Sequence, residues 1–168
     1  MTEQHLWAPW RLSYITREEE PKPKSSSCFI CDHLKQPAEE DRKNLVLLRA
    51  EHCVVLLNLY PYNNGHLLIA PRSHKAQLTE LTDEEHLEGM RLLSHLTEII
   101  SEHMDADGFN IGLNLGRVAG AGLPGHLHWH LVPRWNGDTN FMPVIADTKV
   151  IPQALDSLYE LLSQNLSK

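Results

Sequence analysis

Apolar positions in this chain recur with two different periods. Between Leu45 and Ala70 they come in short β-branched and leucine-rich runs, Leu45 to Arg49, Cys53 to Asn58 and His66 to Ala70, which read as strands. Ala50-Glu51-His52 joins the first two as a hairpin-like pair. Tyr60-Pro61-Tyr62-Asn63-Asn64-Gly65 is turn chemistry, with proline fixing φ and Asn-Asn-Gly accepting positive φ. After Thr82-Asp83-Glu84-Glu85, a capping box, the period becomes helical through Leu87, Met90, Leu92 or Leu93, Leu96, Ile99 and Ile100, and Asp105-Ala106-Asp107-Gly108 closes the helix. Phe109 to Leu115 reads as a strand, Pro124 to Trp135 as another, and Pro152 to Leu166 as a terminal helix with proline near its first turn. Successive strands with one inserted helix predict an α+β domain, an antiparallel sheet of about five strands backed by helices.

No internal repeat is visible. Leu6-Trp7-Ala8-Pro9-Trp10-Arg11 is an apolar, aromatic patch expected to pack on the core or on another subunit, and Arg17 to Ser27 reads as a mobile loop. The expected organisation is therefore an N-terminal apolar segment and loop over 1–27, then a single domain over 28–168.

Composition narrows the function classes. The chain has 168 residues, 42% hydrophobic, and its longest apolar runs are far too short to span a bilayer. The start Met1-Thr2-Glu3-Gln4 is unlike a signal peptide, so a cytoplasmic protein with no membrane partner is expected. A net charge of −7 excludes a broad nucleic-acid-binding surface but not a small nucleotide in a local site. The three cysteines form no disulfide framework and suit a reducing compartment.

The sharpest feature is His126-Leu127-His128-Trp129-His130-Leu131. On a helix the middle histidine would point away from the other two; on a strand all three share a face, spaced about 6.6 Å apart, with Leu127, Trp129 and Leu131 opposite. Such a row either binds a catalytic metal or provides a nucleophilic imidazole with two supporting ones. Upstream, Asn114 to Gly125 is rich in glycine, and close backbone approach with N–H groups suits phosphate oxygens. Together they favour phosphorus chemistry.

His126 to Val132 matches the His-φ-His-φ-His-φ-φ signature, and with Asn64-Gly65-His66 to His74 the sequence resembles the histidine triad superfamily of nucleotidyl hydrolases and transferases. The likeness runs from Cys28 to Trp135; Leu6 to Arg11 and the Ala119 to Gly122 loop are similar to the bacterial branch that includes diadenosine tetraphosphate phosphorylases. The resemblance implies that His128 attacks the α-phosphorus of a nucleotide, forming a nucleotidyl-imidazole, with His130 and His66 around that phosphate. One ring nitrogen of His128 must then donate its hydrogen to a fixed acceptor such as a backbone carbonyl. The resemblance also implies that Asn58 holds the ribose, that Asn114 lies near the α-phosphate, and that the Gly120, Ala121 and Gly122 loop touches the nucleotide. The loop is one residue longer than in shorter-looped members and carries Gly-Ala-Gly where others have Gly-Gln-Ser; a smaller, more open loop admits inorganic phosphate as acceptor.

Cys28-Phe29-Ile30-Cys31 is half of a zinc site by spacing. A thioredoxin-type redox pair needs a βαβ context that the preceding loop does not supply. His33 is a rival third ligand by proximity, while the resemblance implies His74 and His126, completing a structural zinc site. It further implies a homodimer, with Trp7 and Trp10 as candidate contacts, and no organic cofactor. The expected activity is cleavage of a purine dinucleoside polyphosphate by phosphorolysis or hydrolysis. Cleavage of nucleoside phosphoramidates, a slow nucleotide-binding regulator and a metalloenzyme built on the histidine row are the alternatives.

Overall fold

The structure, a computed structural model, describes residues 28–139, 151 and 153–166; the expectations for Leu6 to Arg11, for the loop up to Ser27 and for Pro152 lie outside them. Five strands, β1 (Val46–Arg49), β2 (Cys53–Leu57), β3 (Leu67–Pro71), β4 (Gly108–Leu113) and β5 (Trp129–Arg134), form one antiparallel sheet in the order β1-β2-β3-β5-β4. Among the described residues three α-helices accompany it: α1 (Phe29–Lys35), α2 (Asp83–Met104) and α3 (Leu155–Leu166). The expected α+β architecture is the observed one.

Why β2 reads as an unbroken apolar run is explained by its position. Cys53, Val55 and Leu57 face α2 and α3, where they pack with Leu67, Ile69, Leu93, Leu96, Ile100 and Leu162. Val54 and Leu56 face the other way, onto Val46, Ala70, Cys28 and Ile30 of α1. A strand covered on both faces has no polar positions to alternate with.

α2 begins as expected. Thr82 caps it, with its side chain accepting from the Glu85 N–H at 3.3 Å and Glu85 reaching back to the Thr82 N–H at 2.8 Å. Asp105 ends it in the left-handed conformation at φ 51°. Leu87 and Met90, expected on its buried stripe, are instead 52% and 56% exposed. The stripe runs through Gly89, Leu92, Leu93, Leu96, Ile99 and Ile100. Gly89 occupies the place where the helix crosses Trp129, and a Cβ there would lie 3.3 Å from the indole. At 100° per residue Leu87 and Met90 lie well outside this stripe, on the sides of α2 turned away from the sheet.

The helix α1 has no counterpart in the sequence-based expectation, since seven residues of mixed polarity give no clear period. Tertiary contacts hold it. The Arg49 guanidinium, paired with Asp41 at 2.6 Å, donates to the carbonyls of His33, Leu34 and Gln36 at the helix end. Its N-cap is Cys28, whose sulfur accepts from the Cys31 N–H.

β5 is shorter than the expected strand. It starts at Trp129, leaving His126 in the bend that closes the turn from Leu123 and His128 just ahead of the ladder, where the Leu127 N–H donates to Lys75 C=O at 2.7 Å. The alternation survives the shortening: Leu127, Trp129 and Leu131 all enter the core beneath α2. His130 pairs in register with Leu68, so it emerges on the face opposite α2, beside His66. The turn that delivers His66 needs Gly65, at φ 72°, where a Cβ would sit 3.0 Å from Pro133 Cγ. Among the described residues no helix is long and apolar enough to cross a membrane.

Replacing Gly89 by leucine is expected to lower stability by about 1–3 kcal/mol, because the side chain must push α2 off Trp129. An unchanged urea midpoint would show that this crossing is not tight.

Candidate active site and metal centre

Three imidazoles gather on the face of the sheet away from α2, and backbone groups decide where their protons sit. His128 Nδ1 lies 2.8 Å from the His126 carbonyl. A carbonyl can only accept, so Nδ1 carries the hydrogen and the neutral ring keeps its lone pair on Nε2. Burial lowers the His128 pKa, and the hydrogen bond to His126 opposes that only in part. The neutral ring, with its lone pair on Nε2, is therefore the resting form near neutral pH.

His66 is ordered the opposite way. The Tyr62 N–H donates to its Nδ1 at 3.0 Å, which places the hydrogen of a neutral ring on Nε2. That nitrogen is 3.0 Å from His130 Nδ1, so His130 accepts there and carries its own hydrogen on Nε2. Burial, with a smaller contribution from His128, holds His130 down at about 4, so it is a neutral donor and not a cation. The Tyr62 ring lies against both, 4.6 Å from His66 and 5.7 Å from His130 between centroids. Sequence reasoning missed Tyr62; its backbone N–H carries no sequence signal, and its ring stood in a stretch already read as a turn.

The expected nucleotide contacts are placed unevenly. Asn114 Nδ2 stands 3.4 Å from His130 Nε2, at the edge of the imidazole group; with the hydrogen on that nitrogen both groups are donors, so this is proximity and not a hydrogen bond. Asn58 Oδ1 accepts the Tyr60 N–H at 3.0 Å while its Nδ2 lies 3.2 Å from His66, so it serves the turn and the site together. In the glycine-rich loop, the Gly120 and Ala121 N–H groups are engaged within the loop itself, with Arg117 C=O at 3.1 Å and Gly116 C=O at 3.4 Å. A 3-10 turn over Arg117–Ala119 uses donors that the glycine pattern had offered to phosphate. Gly122 has open space where a Cβ would be.

The second group includes His126, two residues before His128. Cys28, Cys31, His74 and His126 present ligand atoms all within 4.8 Å of one another. Cys28 Sγ is 3.1 Å and Cys31 Sγ 3.4 Å from His126 Nδ1, and Cys31 Sγ is 3.3 Å from His74 Nδ1. The sulfur–nitrogen edge of a tetrahedron built on zinc bond lengths is about 3.6 Å, so these four atoms fit a tetrahedral ion. His126 Nε2 donates to Pro71 C=O at 2.8 Å, which turns the Nδ1 lone pair toward the sulfurs. Burial and the adjacent Cys28 push the Cys31 thiol up to about 11, a cost that a bound cation removes by taking the thiolate. Gly125 permits the assembly, since a Cβ there would lie 3.3 Å from His74 Nε2. His33 is not part of the group; its ring meets Phe29 edge-on.

Residues 39–137 match the family model for the HIT domain. The chain belongs to the HIT domain family. It is 40% identical over 161 residues to an AP-4-A phosphorylase of Mycobacterium tuberculosis, covering 95% of this chain and 83% of that one. It is 25% identical over 140 residues to an adenosine 5'-monophosphoramidase of Schizosaccharomyces pombe, covering 83% of this chain and 98% of that one. Among solved structures, a Zn-bound histidine triad family protein from Mycobacterium smegmatis superposes with a TM-score of 0.66 at 26% identity, over 84% of this chain and 94% of that one. In this HIT chain the four-residue group is a site able to hold a metal ion.

An ion pair secures the turn that presents His66. Asp138, held by Arg134 at 2.5 and 2.9 Å, accepts from Asn63 Nδ2 at 2.8 Å, and the Asn63 carbonyl accepts the His66 N–H. The Arg134 hydrogen bond lowers the Asp138 carboxyl to about 2. A depressed carboxyl contributes stability above its unfolded value, about 3.9, and loses it as pH falls through the folded value. Asp138→Asn should cost about 1–3 kcal/mol at pH 7. It should also flatten the fall in stability between pH 5 and pH 2, measured by urea unfolding across that range; a parallel curve would remove Asp138 from the acid limb.

Proposed function

We propose that this chain cleaves dinucleoside polyphosphates of the diadenosine tetraphosphate type at an α-phosphate, with His128 as nucleophile and inorganic phosphate as the acceptor. The observation that carries this reading is the hydrogen bond from His128 Nδ1 to the His126 carbonyl, which leaves Nε2 able to attack. Nε2 forms a bond to the α-phosphorus as the bridging P–O bond breaks, and the nucleoside triphosphate leaves. The imidazolium character that builds on His128 is stabilised through Nδ1–H by the same carbonyl. His130, kept neutral with its hydrogen on Nε2, donates to a phosphoryl or leaving-group oxygen, and His66 behind it fixes that tautomer. A phosphate oxygen then displaces His128 and carries the nucleotidyl group away as the diphosphate.

Asn58 and Asn114 are the polar side chains beside these rings and are assigned to ribose and phosphate; Gly120, Ala121 and Gly122 line the loop where an acceptor enters. The likeness to the AP-4-A phosphorylase supports phosphate over water. Cys28, Cys31, His74 and His126 hold a structural zinc ion, which would tie α1 to the base of the catalytic segment without entering the reaction. The free thiols of Cys28, Cys31 and Cys53 suit the cytoplasm, and a homodimer is proposed on the family resemblance.

Incubation with diadenosine tetraphosphate should yield ADP and ATP only when phosphate is added. AMP and ATP formed without phosphate would make the enzyme a hydrolase, and turnover confined to adenosine phosphoramidate would reject the substrate class. His128→Ala should lower kcat at least about a thousandfold, and retained activity would remove it as nucleophile.

For the metal, the purified chain should carry one zinc per chain. Cys28→Ser should lose it together with several degrees of Tm; full retention of zinc would refute the ligand set.

A further inference from the structure

The group that connects the two histidine sites to the rest of the fold is a carboxylate that belongs to neither. Glu85, in the first turn of α2, is 6% exposed, and both of its oxygens are engaged. Ser73 donates its hydroxyl to Oε1. Lys75 Nζ at 2.6 Å and the Thr82 N–H at 2.8 Å donate to Oε2. Ser73 and Lys75 flank His74, so the carboxylate holds the chain on both sides of that imidazole. The same Lys75 offers its carbonyl to the Leu127 N–H at 2.7 Å. Leu127 stands between His126, whose ring faces the cysteines, and His128, whose ring is oriented by the His126 carbonyl. A shift of the 73–75 segment therefore moves a metal ligand directly and the nucleophile's backbone by one hydrogen bond.

We propose that Glu85 is a positioning residue that sets both the His74 corner of the metal site and the His126 to His128 backbone through the Ser73 to Lys75 segment. The metal half rests on the zinc reading and the catalytic half on the proposed role of His128; the hydrogen bond from Leu127 to Lys75 carries the coupling in both. A carboxylate suits the task because it can take three donors at once, and it pairs the half-buried Lys75 ammonium. Glutamine can keep the connections: its oxygen accepts from Lys75 and Thr82, and its amide donates to the Ser73 hydroxyl, which can rotate to accept. Alanine keeps none of them.

The test compares Glu85→Ala and Glu85→Gln with Thr82→Ala, which removes the same helix's cap and contacts neither Ser73 nor Lys75 through its side chain. Zinc affinity of the purified chain is read by chelator competition with the metal alone, and kcat and KM are read with diadenosine tetraphosphate and phosphate. Glu85→Ala is expected to weaken zinc and lower kcat by about 10- to 100-fold each, with KM within about threefold. Glu85→Gln should recover both to within about threefold, and Thr82→Ala should lose Tm while keeping both. If Glu85→Ala does not accumulate as folded protein, Lys75→Met replaces it, with a loss of the same sign.

Zinc affinity and kcat that follow Tm equally in the alanine variants of Glu85 and Thr82 would overturn the proposal, because the carboxylate would then be only a helix cap. Should the parent chain bind no zinc, the zinc reading falls and the kcat comparison alone decides Glu85.

Discussion

Imidazole rings are symmetrical enough that a row of them has no chemistry until something assigns their protons. Here backbone groups make the assignment: the carbonyls of His126 and Pro71 accept from His128 Nδ1 and His126 Nε2, and the Tyr62 N–H donates to His66 Nδ1. Carbonyls and amides cannot change roles, so three histidines that look alike come to differ: His128 keeps its lone pair on Nε2, His126 turns its lone pair to the sulfurs, and His66 directs its hydrogen at His130. The chemistry of the site therefore depends on the path of the main chain around Pro71, His126 and Tyr62. Those segments belong to different parts of the sequence, and the antiparallel pairing of β3 with β5 is what brings them together.

Burial fixes the charge of these rings as well. An exposed imidazole is partly protonated near pH 7, and a protonated ring has no lone pair to offer. Packing against the sheet lowers the pKa of both His128 and His130, so the pair remains neutral where the enzyme must work. The same packing raises the Cys31 thiol, and a cation among four converging ligands is the means by which the fold can reverse that. The two sites share one extended segment, and Leu127, 3% exposed and inserted beneath α2, keeps them from collapsing into each other.

Much of the fold was legible because its pattern is local. The strands around Val55 and Ile69, the Thr82 capping box and the alternation through Trp129 follow from periods of two and 3.6 that neighbouring residues carry by themselves. What failed to show was whatever depends on a distant partner. Leu87 and Met90 are apolar but stand exposed, because the buried stripe of α2 is set by the contact of Gly89 with Trp129 and both residues lie outside its arc. α1 escaped notice because Arg49, more than a turn of sheet away in sequence, satisfies its final carbonyls. The glycines before Pro124 offered N–H groups to a phosphate, yet Gly120 and Ala121 direct theirs at Arg117 and Gly116.

The sequence by itself determined the residue types: three alternating histidines with an apolar underside, a cysteine pair at zinc spacing, and a glycine-marked turn ahead of His66. Those follow from side-chain chemistry and backbone period, which are properties of single residues and short windows. Only the tertiary structure decided which nitrogen of each ring carries a proton, that His126 turns toward Cys28 while His128 turns away, and that Glu85 holds the chain beside both. Hydrogen bonds run between groups that are far apart in the chain, and their direction depends on where the folded backbone places a donor or an acceptor. No local pattern encodes that.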